Sequence, residues 1–174
     1  MCATAIEPCY RVSLSDSLLA TITAFLVEIG LPVEMGEIDQ PTFLPGIHAE
    51  SGILRVDLAK LSWPGDLLHE AGHLALLTGE QRKQVTGNVG DDGGAELGAI
   101  AWSYAAAVNL RLDPGVVFHE HGYHGGSQSI LQNFANGRYI GVPMLQWLGL
   151  SLDARSDLPP GVKPYPHMLR WLRD

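Results

Sequence analysis

The stretch Leu67-Leu68-His69-Glu70-Ala71-Gly72-His73-Leu74-Ala75-Leu76-Leu77 decides how this chain is read. The apolar run predicts a buried helix, and residues four apart on a helix share a face. His69 and His73 therefore point the same way. Two neutral imidazoles at that spacing can grip one Zn²⁺, and Glu70, beside His69 on the same turn, can reach an activated water as general base. The bland alternative is a pair of hydrogen-bonded core histidines next to a solvated or paired carboxylate. Burying two His and a Glu on one apolar helix is costly without partners, and a metal is the simplest partner for all three.

The flanking sequence supports a helix here. Ser62-Trp63-Pro64-Gly65-Asp66 looks like a start signal, since Ser caps well, Pro is tolerated in the first turn and Asp favours the positive helix end. The helix should end near Thr78-Gly79. After a polar, Gly-rich loop over 86–94, a second long helix is predicted over about 95–110. Ala99, Ile100, Ala101, Trp102, Ala105, Ala106 and Val108 cover most of its circumference, which implies burial.

Upstream, Ser13 or Ser15 can cap a first helix whose apolar positions Leu18, Ile22, Phe25 and Ile29 recur at helical spacing until Gly30 and Pro32 stop it. Residues 33–61 read as two or three antiparallel strands, with partial alternation in Ile53-Leu54-Arg55-Val56-Asp57-Leu58. Downstream, 119–126 is a polar loop and 129–136 a short helix. The Pro-rich segment 157–166 should be extended before a last helical turn around 168–172. The expected fold class is α+β: one domain over residues 1–174, with a small antiparallel sheet packed on the His-Glu helix and on a second buried helix.

Composition narrows the function. The chain has 174 residues, 46% of them hydrophobic and 17% charged, which suits a globular domain with a real core. A net charge of −8 argues against a general nucleic-acid or anionic-membrane surface and leaves peptides, proteins or small molecules as partners. The apolar stretch over 18–29 is broken by Glu28 and too short to span a bilayer, and the N-terminus lacks the basic start of a signal peptide. Cys2 and Cys9 lie in an N-terminal arm rather than in a disulfide framework. A cytoplasmic location is the expectation.

Two His do not complete a catalytic zinc site, which usually takes three protein ligands and a water. A metzincin-type extension is excluded, because the positions three and six residues after His73 hold Leu76 and Gly79. Glu96 is the best third ligand, since it opens the buried helix, where a carboxylate without a cation or metal would be expensive. It can also be a capping residue that favours the helix dipole. Rivals for the ligand role are His119, His121, His124, Asp91 and Asp92. The pair His119 and His121 is similar to a cupin His-x-His, but the Glu that usually follows is absent and the region lacks strand alternation.

The order Gly46-Ile47, Gly52-Ile53-Leu54-Arg55-Val56-Asp57, His69 to His73, then Glu96-Leu97-Gly98-Ala99 in an Ala-rich helix resembles the ImmA/IrrE-type metallopeptidases and the compact gluzincins. The resemblance spans roughly residues 40–110, and its His-Glu-x-x-His element is the specific part. It implies a zincin-like domain with His69, His73 and Glu96 as zinc ligands and Glu70 as catalytic base. Two departures stand out. Ile100 occupies the place where the family commonly has Asn, so support for a ligand His must come from elsewhere, with Asp66, Asp91 and Asp92 as candidates. A helix-turn-helix partner domain is also missing, so no regulatory role follows.

The expected chemistry is peptide or amide hydrolysis with Zn²⁺ as cofactor and a peptide or protein as substrate. The oxyanion needs a second donor, for which His121, Tyr123 and His124 on the Gly-rich loop are candidates, a solvated polar loop being the alternative. The strand over 53–58 can add substrate backbone at a sheet edge, or serve as an ordinary core strand. Two other functions stay open: a zinc-stabilised binding module in which Glu70 is merely buried near the site, and a metal-free interaction domain.

Overall fold

The computed structural model describes residues 14–87 and 93–174. Ser13, Cys2, Cys9, Asp91 and Asp92 lie outside the described residues. The first helix, α1, spans Leu14–Glu28 and buries Ile22, Phe25 and Leu26. Ser15 lies inside α1 and not before it.

Three short strands follow: β1 (Val33–Met35), β2 (Ile47–Glu50) and β3 (Ile53–Val56), in the order β1-β3-β2. The expectation of an all-antiparallel sheet is corrected: β2 and β3 are antiparallel, while β1 runs parallel to β3. The reason lies in the connections. Ser51 and Gly52 form a tight turn with φ of 52° and 79°, which makes β2 and β3 a hairpin. Residues 36–46 are long enough to carry the chain from β1 past β3 to its far side. Asp57 steadies that crossing, its carboxylate accepting from the backbone N–H of Ile38 at 3.1 Å and of Ala59 at 3.0 Å. Of the two readings of β3, substrate-binding edge or ordinary core strand, the second holds: β3 is the central strand, and its backbone is unavailable to an added substrate strand.

The motif helix, α2, spans Asp66–Leu76, with ten of its residues buried from Asp66 to Leu76 and Glu70 the partly exposed one. Ser62 does not cap it. Gly65 occupies the N-cap position without a side-chain cap, and the chain enters through backbone bonds such as Asp66 N–H to Trp63 O at 3.1 Å. Thr78 does not close α2 but opens α3 (Gly79–Lys83) with a Thr78/Gln81 capping box. Helix α4, Gly93–Asn109, buries nine residues from Gly98 to Ala107, including a fully buried Trp102.

Two further helices, α5 (Ser127–Ala135) and α6 (Val142–Trp147), complete the fold, and α6 packs on α4. The final helical turn expected at 168–172 is absent: Met168 bridges Ser151, and the N–H groups of Leu169 and Arg170 both donate to Leu150 O. Trp171 explains the extended path, since its ring packs edge-on against Phe25 and Trp102 and its carbonyl accepts from Trp102 Nε1 at 2.8 Å. One apolar cluster joins α1, the sheet, α2, α4 and this C-terminal segment, as an α+β domain requires. Among the described residues no helix is long and apolar enough to cross a membrane.

Candidate metal centre

Helices α2 and α4 cross closely because Gly72 has no side chain. A Cβ there would stand 2.9 Å from Ala99 O and 3.1 Å from Ala99 Cα, closer than side chains normally tolerate. Glu96 precedes Ala99 by three residues, one turn of α4, so the approach that Gly72 permits brings the Glu96 carboxylate over the two imidazoles of α2.

Three ligand atoms converge there. His69 Nε2 and His73 Nε2 are 3.2 Å apart, Glu96 Oε2 is 3.2 Å from His73 Nε2, and Glu96 Oε1 is 3.6 Å from His69 Nε2. Neighbouring ligands on a tetrahedral ion with bonds of about 2.0–2.1 Å stand about 3.4 Å apart, so the triangle has the size that one such ion requires. Among the described residues this is the group of His, Cys, Asp and Glu side chains able to hold a metal. The His side chains are 9% and 6% exposed and that of Glu96 is 39% exposed, which leaves the site open on the glutamate side. The adjacent imidazoles of His69 and His73 hold the Glu96 carboxyl far below the usual carboxylate range, against the cost of its burial.

The outward nitrogens are another matter. Nδ1 of His69 and Nδ1 of His73 are buried and have no hydrogen-bond partner among the described residues. Asp66, one expected supporter of a ligand His, is engaged elsewhere: its Oδ1 accepts from His119 Nε2 at 2.9 Å. Burial pushes the Asp66 carboxyl up, while the bond to His119 and the nearby His69 pull it down.

Glu70 is half-buried beside the triangle. Burial raises its carboxyl, opposed by His73, His69 and His48, and Glu96 adds to the rise. His48 was not foreseen from sequence. It lies on β2, is held by Gln40 at 2.7 Å, and its single strand position carries no spacing signal that would single it out.

The loop after α4 brings one expected residue to the site. The ring of Tyr123 meets the His69 ring edge-on, with centroids 5.3 Å apart, and its buried hydroxyl has no partner among the described residues. Burial, with Asp66 and Glu96 nearby, keeps the phenol protonated far beyond the ordinary range, so it can act only as a donor or neutral acceptor. Tyr123 and His124 adopt φ of 55° and 50°, left-handed backbone that costs about 1–3 kcal/mol per residue and persists only where the surroundings impose it.

The other histidines among the described residues are not in the three-ligand group. His124 is exposed. His121, also exposed, stacks on Trp63 with centroids 5.2 Å apart and lies 3.4 Å from Glu120. His119 is committed to Asp66, so the rivals His119, His121 and His124 are not part of the three-ligand group. Comparison with protein-family models, with curated proteins and with solved structures returns no match.

Proposed function

We propose that His69, His73 and Glu96 bind one divalent ion, zinc by their donor chemistry, and that the chain is a metallopeptidase. The observation that carries this reading is the triangle of ligand atoms at 3.2, 3.2 and 3.6 Å, built from two helices far apart in sequence. The resemblance of residues 40–110 to ImmA/IrrE-type metallopeptidases supports it, and the sparse cysteines fit a reducing, cytoplasmic compartment.

When bound, such an ion supplies a Lewis acid that acidifies water and polarises a carbonyl. The protein's part is proton handling and charge stabilisation. Glu70, adjacent to His69 on α2 and half-buried beside the triangle, takes the proton of the attacking water and returns it to the leaving amine. Tyr123 O–H, buried and unpartnered, donates to the oxyanion of the tetrahedral intermediate. The exposed side of Glu96 admits a peptide or protein substrate. His124, exposed on the same loop, is the alternative donor.

One observation favours a second reading, a zinc-stabilised binding module. Ligating histidines usually donate their other N–H to a fixed acceptor, and among the described residues neither Nδ1 atom has one. The test is Glu70→Gln, which keeps size and hydrogen bonding but accepts no proton. Protein purified without chelator should carry close to one zinc per chain, and the variant should keep it. Cleavage of a peptide identified from a library should fall by about 10²–10⁴, the contribution of general-base catalysis. A parent inactive across a broad library but zinc-loaded selects the binding module, and a protein that takes up no divalent ion removes both readings.

A further inference from the structure

Outside the ligand triangle, Trp63, Asp66 and His119 form a second restrained polar cluster. His119 Nε2 donates to Asp66 Oδ1 at 2.9 Å, with side-chain exposures of 10% and 9%. The imidazole lies flat on Trp63, centroids 4.5 Å apart at 16°. Its backbone is tied as well: His119 O accepts from Ser127 Oγ at 2.6 Å and from Gly122 N–H at 3.1 Å. A solvated loop histidine has no such restraint.

The two ends of this arrangement share one helix. Asp66 lies three residues before His69 on α2, and Tyr123, four residues after His119, rests on the His69 ring. We propose that His119 is a positioning residue for Tyr123: anchored to Asp66 and stacked on Trp63, it registers the 119–126 loop against α2 so that the Tyr123 phenol is held over His69. The left-handed backbone at Tyr123 and His124 needs such a restraint, because a released loop would relax from it. Phe118 backs the Tyr123 ring at 5.2 Å but makes no polar bond that could set its register along α2. This inference rests on the reading of Tyr123 as oxyanion donor for its purpose, though not for its geometry.

Nitration by tetranitromethane, mapped by mass spectrometry, reads the exposure of Tyr123 without metal or substrate. In the parent, Tyr123 should be protected, with the buried Tyr165 as internal reference. In His119→Ala, Tyr123 should react about tenfold faster or more, the change in loop opening expected from one lost charge-assisted hydrogen bond, while Tyr165 stays protected. His119→Gln restores an N–H toward Asp66 and should restore protection. Trp63→Ala removes a side chain that is 38% exposed, and should deprotect Tyr123 even if His119→Ala does not fold. Parental protection of Tyr123 in a folded His119→Ala or Trp63→Ala protein overturns the proposal, as does failure of Gln to rescue. If peptide cleavage is established, His119→Ala should lower kcat and leave KM near the parental value. An inactive parent with the nitration pattern intact would instead remove the peptidase reading and keep the positioning role.

Discussion

Gly72 and Ala99 meet at the crossing of α2 and α4, where a Cβ on Gly72 would come within 2.9 Å of the Ala99 carbonyl oxygen. That contact links packing to chemistry. It sets how near α4 lies to α2, and hence whether Glu96 reaches the two histidines. Gly72→Ala should cost about 1–3 kcal/mol from overpacking, offset by about 1 kcal/mol of gained helix propensity. The measurable outcome is a lower urea midpoint together with weaker metal binding. Ala99→Gly should not rescue it, because the obstructing atom is backbone. A variant with parental metal affinity would show that Gly72 does not set the ligand geometry.

Removing the carboxylate tests the triangle directly. Glu96→Ala should weaken zinc binding by more than the roughly 10–100-fold that loss of an outer hydrogen-bond partner costs. His121→Ala, on a side chain exposed and stacked on Trp63, should bind zinc as the parent does. Competition against a chromophoric chelator separates the two. The reverse ranking would move the third ligand to the loop.

Asp57 gives the fold a specific acid sensitivity. Backbone donation from Ile38 holds its carboxyl below the usual value, aided by Lys60 and Ala59 against burial. A lowered folded-state pKa means stability that is present above the unfolded value, about 3.9, and lost as pH falls through the lower folded value. Asp57→Asn should therefore be less stable than the parent near neutral pH, with the gap closing below about pH 4. Denaturant melts of both proteins across pH 2–7 would show it, and a gap independent of pH would assign the effect to packing instead.

The residues that could be read from sequence are those whose partners lie within a turn or two. His69, Glu70 and His73 share one helical turn and its neighbour, so periodicity alone places both imidazoles on one face. The burial of α4 between Gly98 and Ala107 follows in the same way from small and apolar residues around most of its circumference, although Val108, read with them, is exposed, and that expected burial is what made Glu96 stand out. Helix ends were less legible. Ser62 carries a capping side chain but lies too far before Asp66 to serve, and the chain entered α2 through backbone turns.

Everything that turns those side chains into a site depends on contacts across the chain. Asp66 and His119 are separated by 53 residues, and nothing local in either segment announces the other. The same holds for Tyr123 against His69, and for the order of the strands, where β1 passes β3 and leaves it central. Local pattern is enough to say which face of α2 is polar, because a helix repeats regularly along the chain. Which carboxylate meets that face, which phenol covers it and which strand edge remains open depend on how helices and loops pack, and that is settled by steric fit at points such as Gly72 rather than by any repeat in the sequence.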